Sequence, residues 1–187
     1  MPVPVPTDPA PPRRLLRHVV HEKLLEAILS RQLEPGERLS DPDLTKWLGM
    51  SRTPIREALS RLAEQGLVEI EANKLTRVAH QSSEIFGHAH RFLRGLHLEA
   101  LRATSDSPAA AGTLEQLSAL GEEISRGDNA ALCAAWDLVG DRLVPLLNNP
   151  LFMETEMNTR LLAKFHLPDD SGLVEWPGAS ARVTELA

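Results

Sequence analysis

Ser51-Arg52-Thr53-Pro54-Ile55-Arg56 gathers two hydroxyls and two guanidinium groups into one short stretch. On a helix, Arg52 and Arg56 lie four residues apart and share a face. Each guanidinium forks onto guanine O6 and N7, or onto phosphate oxygens. Hydroxyls and free N–H groups at a helix N-terminus also favour phosphate. Further on, Lys74, Thr76 and Arg77 put charge and a hydroxyl where they suit a phosphate backbone or a minor groove. Taken alone, the Ser51–Arg56 stretch is equally well described as a capped helix start with two solvated arginines. The elements that must position it decide between the readings.

Those elements follow from periodicity. Leu16, Val19, Val20, Leu24, Ala27 and Ile28 recur at helical spacing and predict an amphipathic helix from Leu16 to Leu29. It is expected to end before Leu33-Glu34-Pro35-Gly36, where proline and glycine turn the chain. Ser40-Asp41-Pro42-Asp43 offers a cap, a first-turn proline and acidic groups for the positive end of a short helix running to Leu48. Gly49 suits a left-handed turn. Ser51 then caps a helix from about Thr53 to Gln65 with Ile55, Ala58, Leu59 and Leu62 inward, and Gly66 ends it. Leu67–Ile70 and Thr76–Ala79 read as a small hairpin around Glu71-Ala72-Asn73-Lys74. Helix, short helix, glycine turn, helix and hairpin is the order of a winged helix-turn-helix, whose second helix enters the major groove N-terminal end first. In that context the solvated-arginine reading becomes the lesser of the two.

Beyond residue 80 the pattern is helical, with helices expected at about 83–104, 113–126, 129–147 and 151–165. The fold class is therefore mainly α: an N-terminal winged helix-turn-helix followed by an all-α helical bundle. The expected domains are a disordered Pro-rich leader at 1–15, the winged unit at 16–80, a helical dimerisation and effector-binding domain at 81–167 and an irregular tail at 168–187.

Composition agrees. Aromatics are 4% and Tyr is absent from the 187 residues, so Leu, Ala, Val and Ile must build the core, and the first two favour helix. A single cysteine, Cys133, excludes an intrachain disulfide framework and any multi-cysteine zinc site. No apolar run reaches the roughly 20 residues of a membrane span, and the proline-rich start lacks the apolar core of a secretion signal, so a cytoplasmic location is expected. The net charge of −6 speaks against a polyanionic partner until the chain is divided. Residues 1–80 hold 12 Lys/Arg and 11 Asp/Glu, a net of +1, whereas residues 81–187 hold 8 and 15, a net of −7. The acidic excess lies in the second half.

The second half offers little catalytic chemistry. No Ser/His/Asp constellation, phosphate-binding glycine loop or HExxH-type motif occurs there, so no enzyme activity is expected. His90 and His97, seven apart, lie two turns apart on one helix face, too distant to share a metal unaided. Asp137 and Asp141 suit a cation or an exposed acidic pair. Arg91 and Arg94 suit a ligand carboxylate or solvent. Trp136 reads as a core or dimer contact.

Residues 16–80 resemble the DNA-binding domain of the GntR family of bacterial transcription regulators. The resemblance rests on Ala27-Ile28-Leu29, Leu33-Glu34-Pro35-Gly36-Glu37-Arg38-Leu39, Leu48-Gly49-Met50-Ser51-Arg52-Thr53-Pro54-Ile55-Arg56-Glu57-Ala58-Leu59 and Leu62-Ala63-Glu64-Gln65-Gly66-Leu67-Val68. It implies a sequence-specific regulator, expected to repress, and places Ser51, Arg52, Thr53 and Arg56 on the recognition-helix contacts. Arg38, Lys74, Thr76 and Arg77 complete the expected DNA-binding set. The chain departs from the family at Asp41-Pro42, where Glu-Arg is frequent, and at Leu75, where the wing usually carries glycine.

The helical second half is similar to the FadR-like (FCD-type) branch, whose bundle dimerises and binds a small acid, often through a metal held by an aspartate and three histidines. Alignment on Asn149-Pro150 with one deletion puts Asp137 and Asp141 at the first two ligand positions. The later histidines are unmatched, and a shortened, metal-less domain with no cofactor is expected. The resemblance implies a homodimer on a near-palindromic double-stranded operator, released by a small carboxylate for which Arg91, Arg94, Asp137 and Asp141 are the candidate contacts. The alternative is an effector-blind dimer whose second half only assembles it.

Overall fold

A computed structural model describes residues 13–71 and 75–168 and divides the chain into two units, Met1–His80 and Gln81–Ala187. In the first unit, α1 (Arg13–Leu29) buries Val20, Leu24, Ala27 and Ile28, a stripe at helical spacing, and packs on α3 (Arg52–Glu64). The helix leaves its axis earlier than proline and glycine alone would require. Arg31 adopts φ 62°, and Leu33 N–H donates to the Ala27 carbonyl at 2.9 Å, closing the end with a left-handed residue that is usually glycine.

Helix α2 (Asp41–Leu48) is capped by Ser40, whose Oγ accepts from Asp43 N–H at 3.3 Å, and stops at Gly49 with φ 65°. Leu44 and Leu48 face inward against α3, whose buried face is Ile55, Ala58, Leu59 and Leu62. Strands β1 (Val68–Glu71) and β2 (Leu75–Val78) pair antiparallel with Val68 opposite Val78 and Glu71 opposite Leu75.

The hairpin is not the whole sheet. Val78 N–H donates to the Glu37 carbonyl at 2.9 Å, Leu39 N–H donates to the Thr76 carbonyl at 2.8 Å, and Arg38 bridges to Arg77. The 37–39 segment is thus a short third rail beside β2. The sequence carries no strand signal there, because two of the three side chains are charged and the segment is too short to show alternation. Gly36 starts it at φ 80°, where an added Cβ would meet His80 Cε1 at 2.6 Å.

In the second unit α4 (Ser83–Thr104), α5 (Ala111–Ser125), α6 (Asn129–Leu138) and α7 (Pro150–His166) form the bundle, α4 packing on α7 and α5 on α6. One core gathers Phe86, Ala89, Leu93, Trp136, Ala163 and Leu167, and a second gathers Ala100, Ala110, Val139, Leu143 and Val144. The single helix expected over 129–147 is corrected here. α6 passes into a π-helical turn at Val139–Leu143 and a 3-10 turn at Val144–Leu147. Pro145 has no N–H to return to residue 141, so regular helix cannot run through it. The expected leader lies mostly outside the described residues and the expected tail almost wholly so, and α1 begins at Arg13 rather than Leu16.

Candidate nucleic-acid interface

The start of α3 is built to leave polar groups outward. Ser51 occupies the N-cap with φ −70° and ψ 163°, yet its side chain makes no capping hydrogen bond. The reason is local. A cap oxygen accepts from the second or third helical N–H, and the third position here is Pro54, which has none. Ser51 Oγ thus makes no capping bond, the first-turn N–H groups of Arg52 and Thr53 have no intrahelical partner, and all three residues are exposed. Such a helix start suits an anion.

Arg52 is exposed and forms no ion pair among the described residues. Arg56 differs. Its Nε and Nη2 both reach Asp41 Oδ2, at 2.8 and 2.7 Å, while its side chain stays 69% exposed. In the sequence Asp41 stands at a helix start and in a departure from the family pattern, and neither points to Arg56. The pairing joins positions 15 apart in the chain, so only the packing of α2 on α3 reveals it.

On the wing, Arg38 and Arg77 stand opposite each other in the β-bridge. Arg77 is committed: its Nε and Nη2 lie 2.8 and 2.7 Å from Glu69 Oε2. That hydrogen bond holds the Glu69 carboxyl below the usual carboxylate range. Arg38 is exposed without an ion pair among the described residues, and Thr76 is half-buried. Lys74 lies outside the described residues.

The candidates of the helical unit fall into two groups. Arg91 and Arg94 are exposed on α4 and form no ion pair among the described residues. Asp137 and Asp141 face cations that the sequence reading did not weigh. Arg160 Nη1 and Nη2 donate to Asp137 and Asp141, each at 2.8 Å, and Lys164 Nζ lies 2.6 Å from Asp137 Oδ1. Arg160 Nε also reaches Glu156 Oε1 at 3.1 Å, and that oxygen accepts from His97 Nε2 at 2.8 Å. Burial works against the charge on Arg160, but the three carboxylates override it and hold its pKa above the ordinary value.

Gly140 makes room for the network, since a Cβ there would lie 2.5 Å from Arg160 Cζ and 2.6 Å from Glu156 Oε1. The legible signal was matched spacing: acids at 137 and 141 on one helix, bases at 160 and 164 on another. Among the described residues no group of three or more His, Cys, Asp or Glu is placed to hold a metal, and no helix is long and apolar enough to cross a membrane.

The first unit has a match among known protein families. The family model described as bacterial regulatory proteins, gntR family, matches residues 16–78. Over residues 16–78 the chain is similar to the GntR family. A transcriptional repressor named NanR from Cronobacter sakazakii is 33% identical over 162 residues, covering 75% of this chain and 62% of the relative. The chain thus spans about three-fifths of that relative's length. An HTH-type regulator in an unstable DNA locus of Streptomyces ambofaciens is 42% identical over 57 residues, 30% of this chain and 24% of the relative.

Among solved structures, a GntR transcriptional regulator from Rhodococcus sp. RHA1 aligns with TM-score 0.61 and 26% identity, covering 87% of this chain and 80% of the other. Escherichia coli McbR/YncC aligns with TM-score 0.56 and 25% identity, covering 81% and 74%. A winged helix-turn-helix unit followed by a helical unit is therefore a shared architecture.

Proposed function

We propose that this chain is a sequence-specific DNA-binding transcription regulator that represses as a homodimer on a near-palindromic operator. The observation that carries the reading is the start of α3, where a Ser51 hydroxyl that makes no cap bond and the exposed Arg52 and Arg56 side chains share the first two turns. In this reading Ser51 and Thr53 hold phosphate while Arg52 and Arg56 read base edges. Arg38, Lys74 and Thr76 hold the flanking backbone from the wing, and Arg77 shapes the wing through Glu69. Two such helices, related by a two-fold axis, meet half-sites about one helical turn apart. Repression is supported by the names of the NanR relatives.

The helical unit is an FCD-type assembly and effector domain in the same reading, with a small carboxylate releasing the DNA and Arg91 and Arg94 as its candidate contacts. One observation favours the effector-blind alternative: Arg160 and Lys164 are already held by the carboxylates of Asp137, Asp141 and Glu156, so the network leaves neither base for a ligand carboxylate.

The test is titration of the full chain against its own upstream promoter DNA at two salt concentrations, with random duplex as competitor. Binding that survives competitor and weakens with salt supports an operator-specific regulator. Binding no tighter than to random duplex overturns it.

A further inference from the structure

We infer that Asp41 is a specificity-determining residue that positions Arg56 for base reading, an inference that rests on the DNA-binding role proposed above. Arginine is flexible, and an exposed guanidinium ordinarily samples many rotamers. Here Nε and Nη2 both close on the same carboxylate oxygen, Oδ2 of Asp41, at 2.8 and 2.7 Å. That contact takes the side-on edge of the guanidinium. The end-on edge, Nη1 with the outer hydrogen of Nη2, remains for a bidentate contact to guanine O6 and N7. The pair is too exposed, at 69% for Arg56 and 24% for Asp41, to matter much for stability. Its consequence is geometric.

Asp41 is itself firmly placed. It opens α2, and its main-chain carbonyl accepts from Thr45 Oγ1 at 2.7 Å. The carboxylate therefore reports the docking of α2 on α3 to the reading side chain. A negative charge beside a DNA-facing arginine weakens attraction to phosphate, so the arrangement exchanges indiscriminate affinity for orientation. A phosphate-binding arginine would gain nothing from such a partner.

The experiment is selection of binding sites from a random-sequence duplex pool with the full-length chain, followed by titration of the selected duplex and a random duplex. Wild type, Asp41→Ala, Asp41→Asn, Arg56→Ala and the Asp41→Ala/Arg56→Ala double variant are compared, with circular dichroism confirming the fold of each. The expected result is that Arg56→Ala and Asp41→Ala relax preference at the same guanine. Asp41→Ala should lower discrimination about threefold or more, part of what one good bidentate contact supplies. Asp41→Asn, which retains an accepting oxygen, should lose less. In the Arg56→Ala background, loss of Asp41 should change discrimination no further.

Tighter binding of both duplexes by one common factor, with preference unchanged, overturns the inference and makes Asp41 a charge mask. Equal loss of preference with or without Arg56 overturns it as well, since Asp41 would then act elsewhere. If the wild-type chain itself enriches no sequence, the DNA-reading role fails and this inference fails with it.

Discussion

Replacing Glu156 by alanine tests the buried charge network of the helical unit most directly. Glu156 is 1% exposed, and its Oε1 serves His97 Nε2 at 2.8 Å and Arg160 Nε at 3.1 Å. Removing one partner of a buried ion pair costs about 3–5 kcal/mol when the other is left uncompensated. Arg160 is not left so, because Asp137 and Asp141 still hold Nη1 and Nη2. Two smaller losses remain. His97, 7% exposed, loses the acceptor of a buried hydrogen bond, about 1–3 kcal/mol. The missing side chain also leaves a void, roughly 2 kcal/mol at the low end of large-to-alanine changes.

The expected cost is therefore about 3–5 kcal/mol, which for a domain of roughly 100 residues lowers the melting temperature by more than about 10 °C. Glu156→Gln keeps the volume and an accepting oxygen and should cost about 1 kcal/mol. The assay is thermal unfolding followed by Trp136 fluorescence with Trp47 and Trp176 replaced by Phe, so that the signal comes from the helical unit. A melting temperature for Glu156→Ala within about 2 °C of the parent would refute the reasoning. Equal losses for Ala and Gln would show that charge outweighs void and hydrogen bond.

Three further outcomes are expected. Burial between Phe86 and Trp136, aided by the charges of Arg94 and His97, lowers the His90 pKa from 6.5 to about 4. Its folded pKa is below its unfolded value, so its contribution is complete above pH 6.5 and is lost as pH falls toward 4. His90→Phe should flatten that part of the Trp136-monitored stability profile, and an unchanged slope would contradict it. Arg52→Ala should weaken operator binding by about 1–3 kcal/mol and relax sequence preference, whereas Arg38→Ala should weaken all sequences alike and lower the salt slope by about one; competitive titrations separate the two. Gly49→Ala meets open space but must hold φ 65°, so it should destabilise the GntR unit by about 1 kcal/mol through backbone strain alone, measured by chemical denaturation.

Much of this protein was determined by local sequence chemistry. Ser40 and Gly49 bound α2, the Ile55–Ala58–Leu59–Leu62 stripe turns α3 inward, and that leaves Ser51, Arg52, Thr53 and Arg56 outside. Helix α4 runs over Ser83–Thr104 as its periodicity predicts. These features depend on neighbours within a turn or two, which is the range over which residue type and spacing act.

Tertiary structure decided what depends on distant partners. The third rail at 37–39 exists because β2 offers it backbone groups, not because its side chains favour a strand. The break after Leu138 combines a local cause, Pro145, with a distant one, the Arg160 and Glu156 groups that fill the space beside Gly140. Asp137 and Asp141 look like a solvated acidic pair until α7 brings Arg160 and Lys164 against them. Likewise, Asp41 becomes the partner of Arg56 only when α2 docks on α3. An ion pair or a ladder bond is set by distance in space, and sequence separation carries almost none of that information.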